Sequence, residues 1–192
     1  MNTILLPSML MIGGSGRNVG KTTLICAIIR KFAPSVPIIG LKVTSIRPGE
    51  EDFHGHHEQP FTENFRIFEE TNTSSAKDTA KMLRAGACKV YFIQSTDEQM
   101  SMAMDTFFRM VNRKSIIVCE TRSLRRLIKP GVFILITDLA HTEFKSKAAE
   151  FESLADLHIY FDPENRSMAY NAERIELRDV EWRLFVPGAE LV

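Results

Sequence analysis

A glycine-rich segment between an apolar run and an amphipathic helix constrains the fold of this chain more than any other feature. It has the sequence Gly13-Gly14-Ser15-Gly16-Arg17-Asn18-Val19-Gly20-Lys21-Thr22-Thr23. The apolar run at residues 9–13 precedes it, and a wide apolar stripe at helical spacing follows it, formed by Leu24, Ile25, Ile28, Ile29 and Phe32. Glycines let the backbone curl so that its N–H groups point inward onto phosphate oxygens. The order strand, loop, helix therefore predicts a phosphate-binding loop (P-loop).

Lys21 and Thr22 carry the chemistry expected of this loop. Lys21 is expected to reach the β- and γ-phosphates of a nucleotide, and the Thr22 hydroxyl is expected to bind Mg²⁺. The spacing departs from G-x4-G-K-[ST], because Ser15 stands at the first-glycine position and Gly14 leaves one residue too many. An ordinary glycine-rich turn is the alternative interpretation. We assign nucleotide binding to the whole loop: Gly14, Ser15, Gly16, Arg17, Asn18, Val19, Gly20, Lys21, Thr22 and Thr23.

Apolar runs alternate with helical patterns along the rest of the chain. The further runs are 37–44, 90–94, 115–120, 132–137 and 157–161, and helices are predicted over 74–87, from a capping box at 95–98, and over 147–154. Runs without strict alternation favour strands covered on both faces. We therefore predict a three-layer α/β fold with a mainly parallel, doubly wound sheet. Residues 168–171, 175–177 and 182–186 predict short strands or a hairpin, a C-terminal β appendage (165–192) of one nucleotide-binding domain spanning 1–192.

Composition excludes several classes of protein. The chain has 192 residues with 24 Lys+Arg against 24 Asp+Glu, and this balance disfavours a nucleic-acid binder. No run approaches the roughly 18 apolar residues of a membrane span, so no membrane partner is expected. The run at 4–12 lacks a basic residue before it and leads into the glycine loop, which indicates a strand and not a targeting segment. Cys26, Cys88 and Cys119 form no C-x-x-C pair and predict free thiols in the cytoplasm.

Two carboxylates follow predicted strands. Glu120 ends the run Ile116-Ile117-Val118-Cys119-Glu120, which has the form of a Walker B strand. Its carboxylate is expected to hold Mg²⁺ through water or to position a nucleophile opposite Thr22, the alternative being a solvated strand end. Asp138 follows the fifth strand and is a candidate for contacting the base. Because no Asn-Lys-x-Asp motif is present, the choice between ATP and GTP stays open.

Three arginines, Arg122, Arg125 and Arg126, follow Glu120 at once. Such a cluster binds an anionic substrate or a neighbouring subunit's phosphates in some proteins. More often it forms a solvated helix face, which is the interpretation we favour from sequence.

The long polar segment at 45–62 contains His54, His56 and His57 among several carboxylates. Imidazole nitrogens bind Zn²⁺ and other divalent ions, so an additional metal site is one interpretation. No cysteine nearby completes a tetrahedral ligand set, and a solvated or substrate-gripping loop is favoured instead. Since the segment follows the second strand, it is expected to open at the same sheet edge as the glycine loop, as a lid over a substrate.

The segment Gly14-Ser15-Gly16-Arg17-Asn18-Val19-Gly20-Lys21-Thr22 resembles the long P-loop of dethiobiotin synthetases. It is also similar to that of the MobB family of molybdopterin-guanine-dinucleotide biosynthesis. Lys42, in Leu41-Lys42-Val43-Thr44-Ser45, closes the second strand as a lysine does in both families. Lys77-Asp78-Thr79 followed by Arg84-Ala85-Gly86-Ala87 favours MobB. The chain departs from these patterns at three positions. Gly16 stands where many relatives have an extra loop lysine, and Asn18 stands where the ligases have a glutamate. Thr121 stands where both families have a glycine after the Walker B carboxylate.

The resemblance implies a homodimeric accessory protein that binds ATP or GTP with Mg²⁺, hydrolyses it slowly and assists a cofactor-biosynthesis enzyme. Lys21, Lys42 and Glu120 would be its catalytic residues. An ATP-dependent ligase or kinase is the alternative, in which Lys42, Thr44 and Ser45 bind a small-molecule acceptor beneath the histidine segment. A nucleotide-gated interaction module without useful turnover is the third interpretation.

Overall fold

A computed structural model of the protein describes residues 3–16, 18–46, 65–138, 145–162 and 167–185. The strands are β1 Ile4–Gly14, β2 Ile38–Ser45, β3 Phe65–Glu69, β4 Lys89–Ser95, β5 Ile116–Glu120, β6 Ile128–Asp138, β7 Leu157–Phe161, β8 Ile175–Arg178 and β9 Glu181–Leu184. The α-helices are α1 Lys21–Phe32, α2 Asp78–Arg84, α3 Met100–Met110 and α4 Lys145–Glu152. The described residues also form the 3₁₀ helices η1 Ser123–Arg126 and η2 Ser167–Arg174.

Seven strands form the central sheet in the order β3-β4-β2-β5-β1-β6-β7, and β8 and β9 form a separate antiparallel hairpin. All pairings in the sheet are parallel except that of β3 with β4. Helices flank the sheet, so the predicted α/β fold is confirmed, and its layers are consistent with a P-loop-like arrangement. Because β1, β2, β5 and β6 run in one direction, their carboxyl ends meet at one edge.

Each face of the sheet has its own apolar core. Leu10 and Ile12 of β1 belong to the core formed with α1, α2, η2 and the hairpin. Met9 and Met11 belong to the core formed with α3, η1 and Phe151 of α4. Successive side chains of a strand point to opposite faces, so a strand covered on both faces is apolar at every position. This explains the unbroken apolar runs of the sequence.

Several sequence predictions were wrong in detail. The capping box fails because Ser95 belongs to β4 and its hydroxyl donates to the Thr96 carbonyl, whereas α3 begins only after Gln99. The strand predicted at 168–171 lies in η2. The helix predicted over 74–87 is shorter, because Asn72 accepts hydrogen bonds from the Ser74 amide and hydroxyl and holds a turn there.

The structure also contains strand segments that the sequence patterns did not predict. The short edge strand β3 follows the long polar segment and pairs antiparallel with β4. β6 extends towards its amino end beyond the predicted run, whereas β1 includes the run at 4–12 that predicted a strand. Cys26 and Cys119 are buried free thiols and Cys88 is an exposed one. Within the described ranges, no helix combines the length and apolarity that a membrane crossing needs.

Candidate functional site

The glycine loop curls tightly between β1 and α1. A Cβ built on Gly14 would lie 2.9 Å from Lys21 Cδ and 2.9 Å from Val19 Cγ2, closer than real side chains approach. Asn18 (φ 59°) and Gly20 (φ 84°) adopt the left-handed backbone conformation. Glycine and asparagine tolerate that region best, so the loop residues suit the conformation that the loop adopts. The position at which close packing favours a glycine is thus that of Gly14, one residue before the first-glycine position of the usual motif.

Ser15 attaches the loop to β6. Its side chain is buried, its N–H donates to the Ile136 carbonyl at 2.9 Å, and its Oγ accepts from the Asp138 N–H at 2.9 Å. The hydroxyl therefore satisfies the end of β6, which a glycine at this position would leave to water. The departure from the usual loop spacing has a structural explanation here. Of the predicted loop residues, Arg17 lies outside the described part of the chain.

Lys21 and Thr22 stand at the start of α1, facing the end of β5. The Lys21 Nζ donates to the Gly16 carbonyl at 2.6 Å, so the ammonium folds back over its own loop. Thr22 Oγ1 donates to Glu120 Oε2 at 3.2 Å. Burial lowers the pKa of Lys21, and the negative charge of Glu120 opposes that shift. The structure thus places the loop threonine against the carboxylate that ends β5, while the predicted Mg²⁺ role of the two residues stays a prediction.

A second group of charges adjoins the first through Lys42. Its Nζ lies 2.6 Å from Asp78 Oδ2 and 3.8 Å from Glu120 Oε1, while the Lys81 Nζ lies 3.0 Å from Asp78 Oδ1. Burial alone would raise the pKa of Asp78, but its hydrogen bonds and charge interactions with both lysines lower that pKa to about 2. Asp78 was not among the predicted site residues. Its position at the first turn of α2, as the middle residue of Lys77-Asp78-Thr79, was the available signal.

These residues line one cleft of about 1490 Å³ at the carboxyl edge of the sheet. Thr23, Thr44 and Asp138 also line it, as does Ser45, whose hydroxyl donates to Asp97. The structure thus brings the described loop residues, Lys42 and Glu120 together in one place. The histidines predicted as a lid or metal site, His54, His56 and His57, lie outside the described residues.

The three arginines after Glu120 do not form one solvated face. Arg122 is half-buried, and its Nη1 donates to the Gly14 carbonyl at 3.2 Å. Arg125 lies over the Phe133 ring at 5.9 Å, and its buried Nε has no hydrogen-bond partner among the described residues. Arg126 is exposed and forms ion pairs with Glu150 and Asp97. The interpretation as a solvated helix face therefore holds for Arg126 alone.

The oxygen ligands at the end of β5 suit Mg²⁺ better than a transition metal. Thr22 and Glu120 offer a hydroxyl and a carboxylate side by side, and Mg²⁺ typically takes one or two such protein ligands with phosphate oxygens and water. In the described part of the chain, no three His, Cys, Asp or Glu side chains converge as a metal site of their own.

No protein-family model matches this chain, and neither a curated protein nor a solved structure is significantly similar to it.

Proposed function

We propose that the protein binds ATP or GTP with Mg²⁺ in this cleft and hydrolyses it slowly. The observation that carries the proposal is the hydrogen bond between Thr22 Oγ1 and Glu120 Oε2, beside the Lys21 ammonium. A hydroxyl at the first turn of a helix, a carboxylate at the end of a nearby strand and a lysine beside them are the elements of a Mg²⁺-nucleotide site.

The start of α1 adds a second argument. Gly20 is its N-cap residue, and no side chain of the described residues caps this end of the helix. The first N–H groups of a helix lack partners within the helix, and its positive end attracts anions. The β-phosphate of a nucleotide is a suitable partner for these groups. Bound Mg²⁺ would neutralise charge on the phosphates, while Lys21 and the loop amides orient them.

The physiological role is a finer proposal. On the resemblance to MobB proteins, we propose that nucleotide turnover assists an enzyme of molybdopterin-guanine-dinucleotide biosynthesis. A small-molecule ligase or kinase is a second candidate, because the cleft continues from the loop to Lys42, Thr44 and Ser45. The first role predicts turnover stimulated by a protein partner, and the second predicts turnover stimulated by an acceptor that carries a carboxylate or phosphate for Lys42.

The test is calorimetric titration with ATP and with GTP, each with and without Mg²⁺. We expect one of them to bind in a Mg²⁺-dependent manner, and Lys21→Ala to weaken that binding about 100-fold, because a charged group would be lost from a buried contact. Lys129→Ala is the matched control, since this exposed lysine lies at the opposite, amino end of β6. Unchanged binding by Lys21→Ala, or no binding by the wild type, would show that the proposed function is wrong.

A further inference from the structure

Arg122 occupies a place in the cleft that no sequence motif assigned to it. It follows Glu120 by two residues, and its guanidinium reaches the start of the glycine loop, where Nη1 donates to the Gly14 carbonyl at 3.2 Å. The same guanidinium lines the cleft together with Lys21 and Glu120. A positive charge is thus held beside the lysine that is expected to meet the β- and γ-phosphates.

Phe151 of α4 lies against both Arg122 and Arg126. Its buried ring lies 5.6 Å from the guanidinium carbon of Arg122 and 5.2 Å from that of Arg126. Cation–π contact at these distances orients both groups. Both arginines line the cleft: Arg126 forms ion pairs with Glu150 and Asp97, and Arg122 donates to the glycine loop. Of the two, Arg122 is therefore the one that the structure places against the loop expected to hold phosphate.

The backbone that carries Arg122 is tightly fixed to β1. The Thr121 N–H donates to the Ile12 carbonyl at 3.0 Å. A Cβ built on Gly13 would lie 3.2 Å from the Thr121 carbonyl oxygen and 3.3 Å from Arg122 Cβ. The turn after β5 thus packs closely against the strand that leads into the loop, with little space for a side chain between them. An arginine on such a turn keeps its position relative to the loop, as a preorganised catalytic charge must.

We propose that Arg122 contacts the terminal phosphate of the bound triphosphate and stabilises the charge that develops there during hydrolysis. The inference rests on the proposed function of the cleft. In that reaction water attacks the γ-phosphorus, and the bond from γ-phosphorus to the bridging oxygen breaks. The bonding electrons leave on the diphosphate, and the water proton passes to solvent or phosphate. The five N–H donors of a guanidinium allow Arg122 to keep its hydrogen bond to Gly14 while it meets phosphate oxygens.

The experiment compares wild type, Arg122→Ala and Arg122→Lys in binding a non-hydrolysable triphosphate analogue and the matching diphosphate, each with Mg²⁺. We expect Arg122→Ala to weaken triphosphate binding about 10-fold and diphosphate binding less than about 2-fold, since only the triphosphate has the contacted group. Arg122→Lys should retain part of the preference. The kcat for hydrolysis of the triphosphate should be lower by about 100-fold or more in Arg122→Ala than in the wild type.

Arg113→Ala is the matched control. Arg113 also lies over a phenyl ring, that of Phe108 at 5.0 Å, and pairs with an exposed carboxylate, Asp105, but it is not among the residues that line the cleft. Equal losses of triphosphate and diphosphate affinity in Arg122→Ala would overturn the inference, because they would indicate only a disturbed loop. Affinities of Arg122→Ala for both nucleotides that equal those of the wild type would overturn it as well. Wild type that binds neither nucleotide would instead contradict the proposed function, and the Arg122 assignment with it.

Discussion

The two ends of helix α1 are held in opposite ways. At its start, Gly20 has a left-handed backbone and no described side chain caps the helix. The charged groups there, Lys21 above all, turn towards a cleft. Local order at this end comes from the backbone conformation of the loop and from hydrogen bonds to the neighbouring strand ends.

The other end of α1 is held by the C-terminal segment. The Lys31 Nζ donates to the carbonyls of Ala172 and Ile175, at 3.0 and 3.1 Å, as a cation does favourably near a helix C-terminus. The Phe32 ring meets Trp182 edge-on at a centroid distance of 5.2 Å. The Trp182 Nε1 in turn donates to the carbonyls of Ser8 and Ile117 in two strands of the sheet.

The difference between the ends indicates a division of labour along one helix. Apolar burial and satisfied hydrogen bonds concentrate where η2 and the hairpin cover α1, whereas buried and half-buried charged groups line the cleft at its start. Elements that bind ligands are commonly drawn from the less stable parts of a fold. If this is correct, substitutions at the two ends should separate stability from nucleotide binding.

Trp182→Ala should have the largest effect on stability. The side chain is 1% exposed, packs on Phe32 and donates to two buried carbonyls. Its removal therefore leaves a cavity and takes a hydrogen-bond donor from both carbonyls. We expect a loss of about 3–5 kcal/mol in the free energy of unfolding, measured by chemical denaturation. Nucleotide affinity of the folded protein should stay unchanged. Tyr170→Ala, at a 71% exposed position of the same segment, is the control. A loss below about 1 kcal/mol for Trp182→Ala would mean that the C-terminal segment does not hold the helix.

Gly20→Ala tests the point where both arrangements meet. The backbone at Gly20 has φ 84°, which an alanine adopts only with strain, and an added Cβ would lie 2.9 Å from Met168 Cε of η2. We expect a loss of about 1–2 kcal/mol from the left-handed backbone, with a weaker nucleotide affinity measured by calorimetry. The double variant with Met168→Ala separates the causes. Met168→Ala removes the steric contact, at some cost in core packing, and leaves the left-handed backbone at position 20 unchanged. The double variant should therefore recover no nucleotide affinity, and recovered affinity would show that the steric contact was the cause.

The sequence predicted this fold well because each signal was local. The glycine positions, the apolar stripe of α1 and the unbroken apolar strands are each visible within a short stretch of sequence, and together they predicted a mainly parallel sheet. That Thr22 and Glu120 face each other was predictable for the same reason, since Thr22 belongs to the loop-to-helix pattern and Glu120 to a strand-end pattern. Asp78 and Arg122 were missed as members of the site because their partners, Lys42 and Gly14, lie far away in sequence. Only the strand order brings such residues together.

The charge cluster at the cleft should make stability depend on pH below 4. The Asp78 pKa is about 2 in the folded protein against an ordinary value of 3.8, so the folded state favours the ionised carboxylate. Its stabilisation is complete above the unfolded pKa and is lost as the pH falls towards 2. We expect a loss of about 1–2 kcal/mol between pH 4.5 and 2, reduced by partial exposure. Denaturation curves of Asp78→Asn should lack this component, whereas those of Asp105→Asn, an exposed carboxylate on α3, should retain it. Parallel pH profiles for wild type and Asp78→Asn would contradict the assignment.

Lys31→Met should have the smallest effect and sharpen the comparison most. The substitution keeps much of the apolar stem but removes the donor to the Ala172 and Ile175 carbonyls, so we expect a loss of about 1 kcal/mol. Glu173→Gln removes only the exposed ion pair with Lys31 and should cost less than about 0.5 kcal/mol. The measurement is the denaturation midpoint of each variant, with nucleotide titration beside it. A larger loss from Glu173→Gln than from Lys31→Met would show that the surface ion pair, and not the two carbonyls, holds this end. Altered nucleotide affinity in Lys31→Met would show that the two ends of α1 are coupled, because Lys31 can reach the cleft only through the helix and the η2 segment that runs beside it.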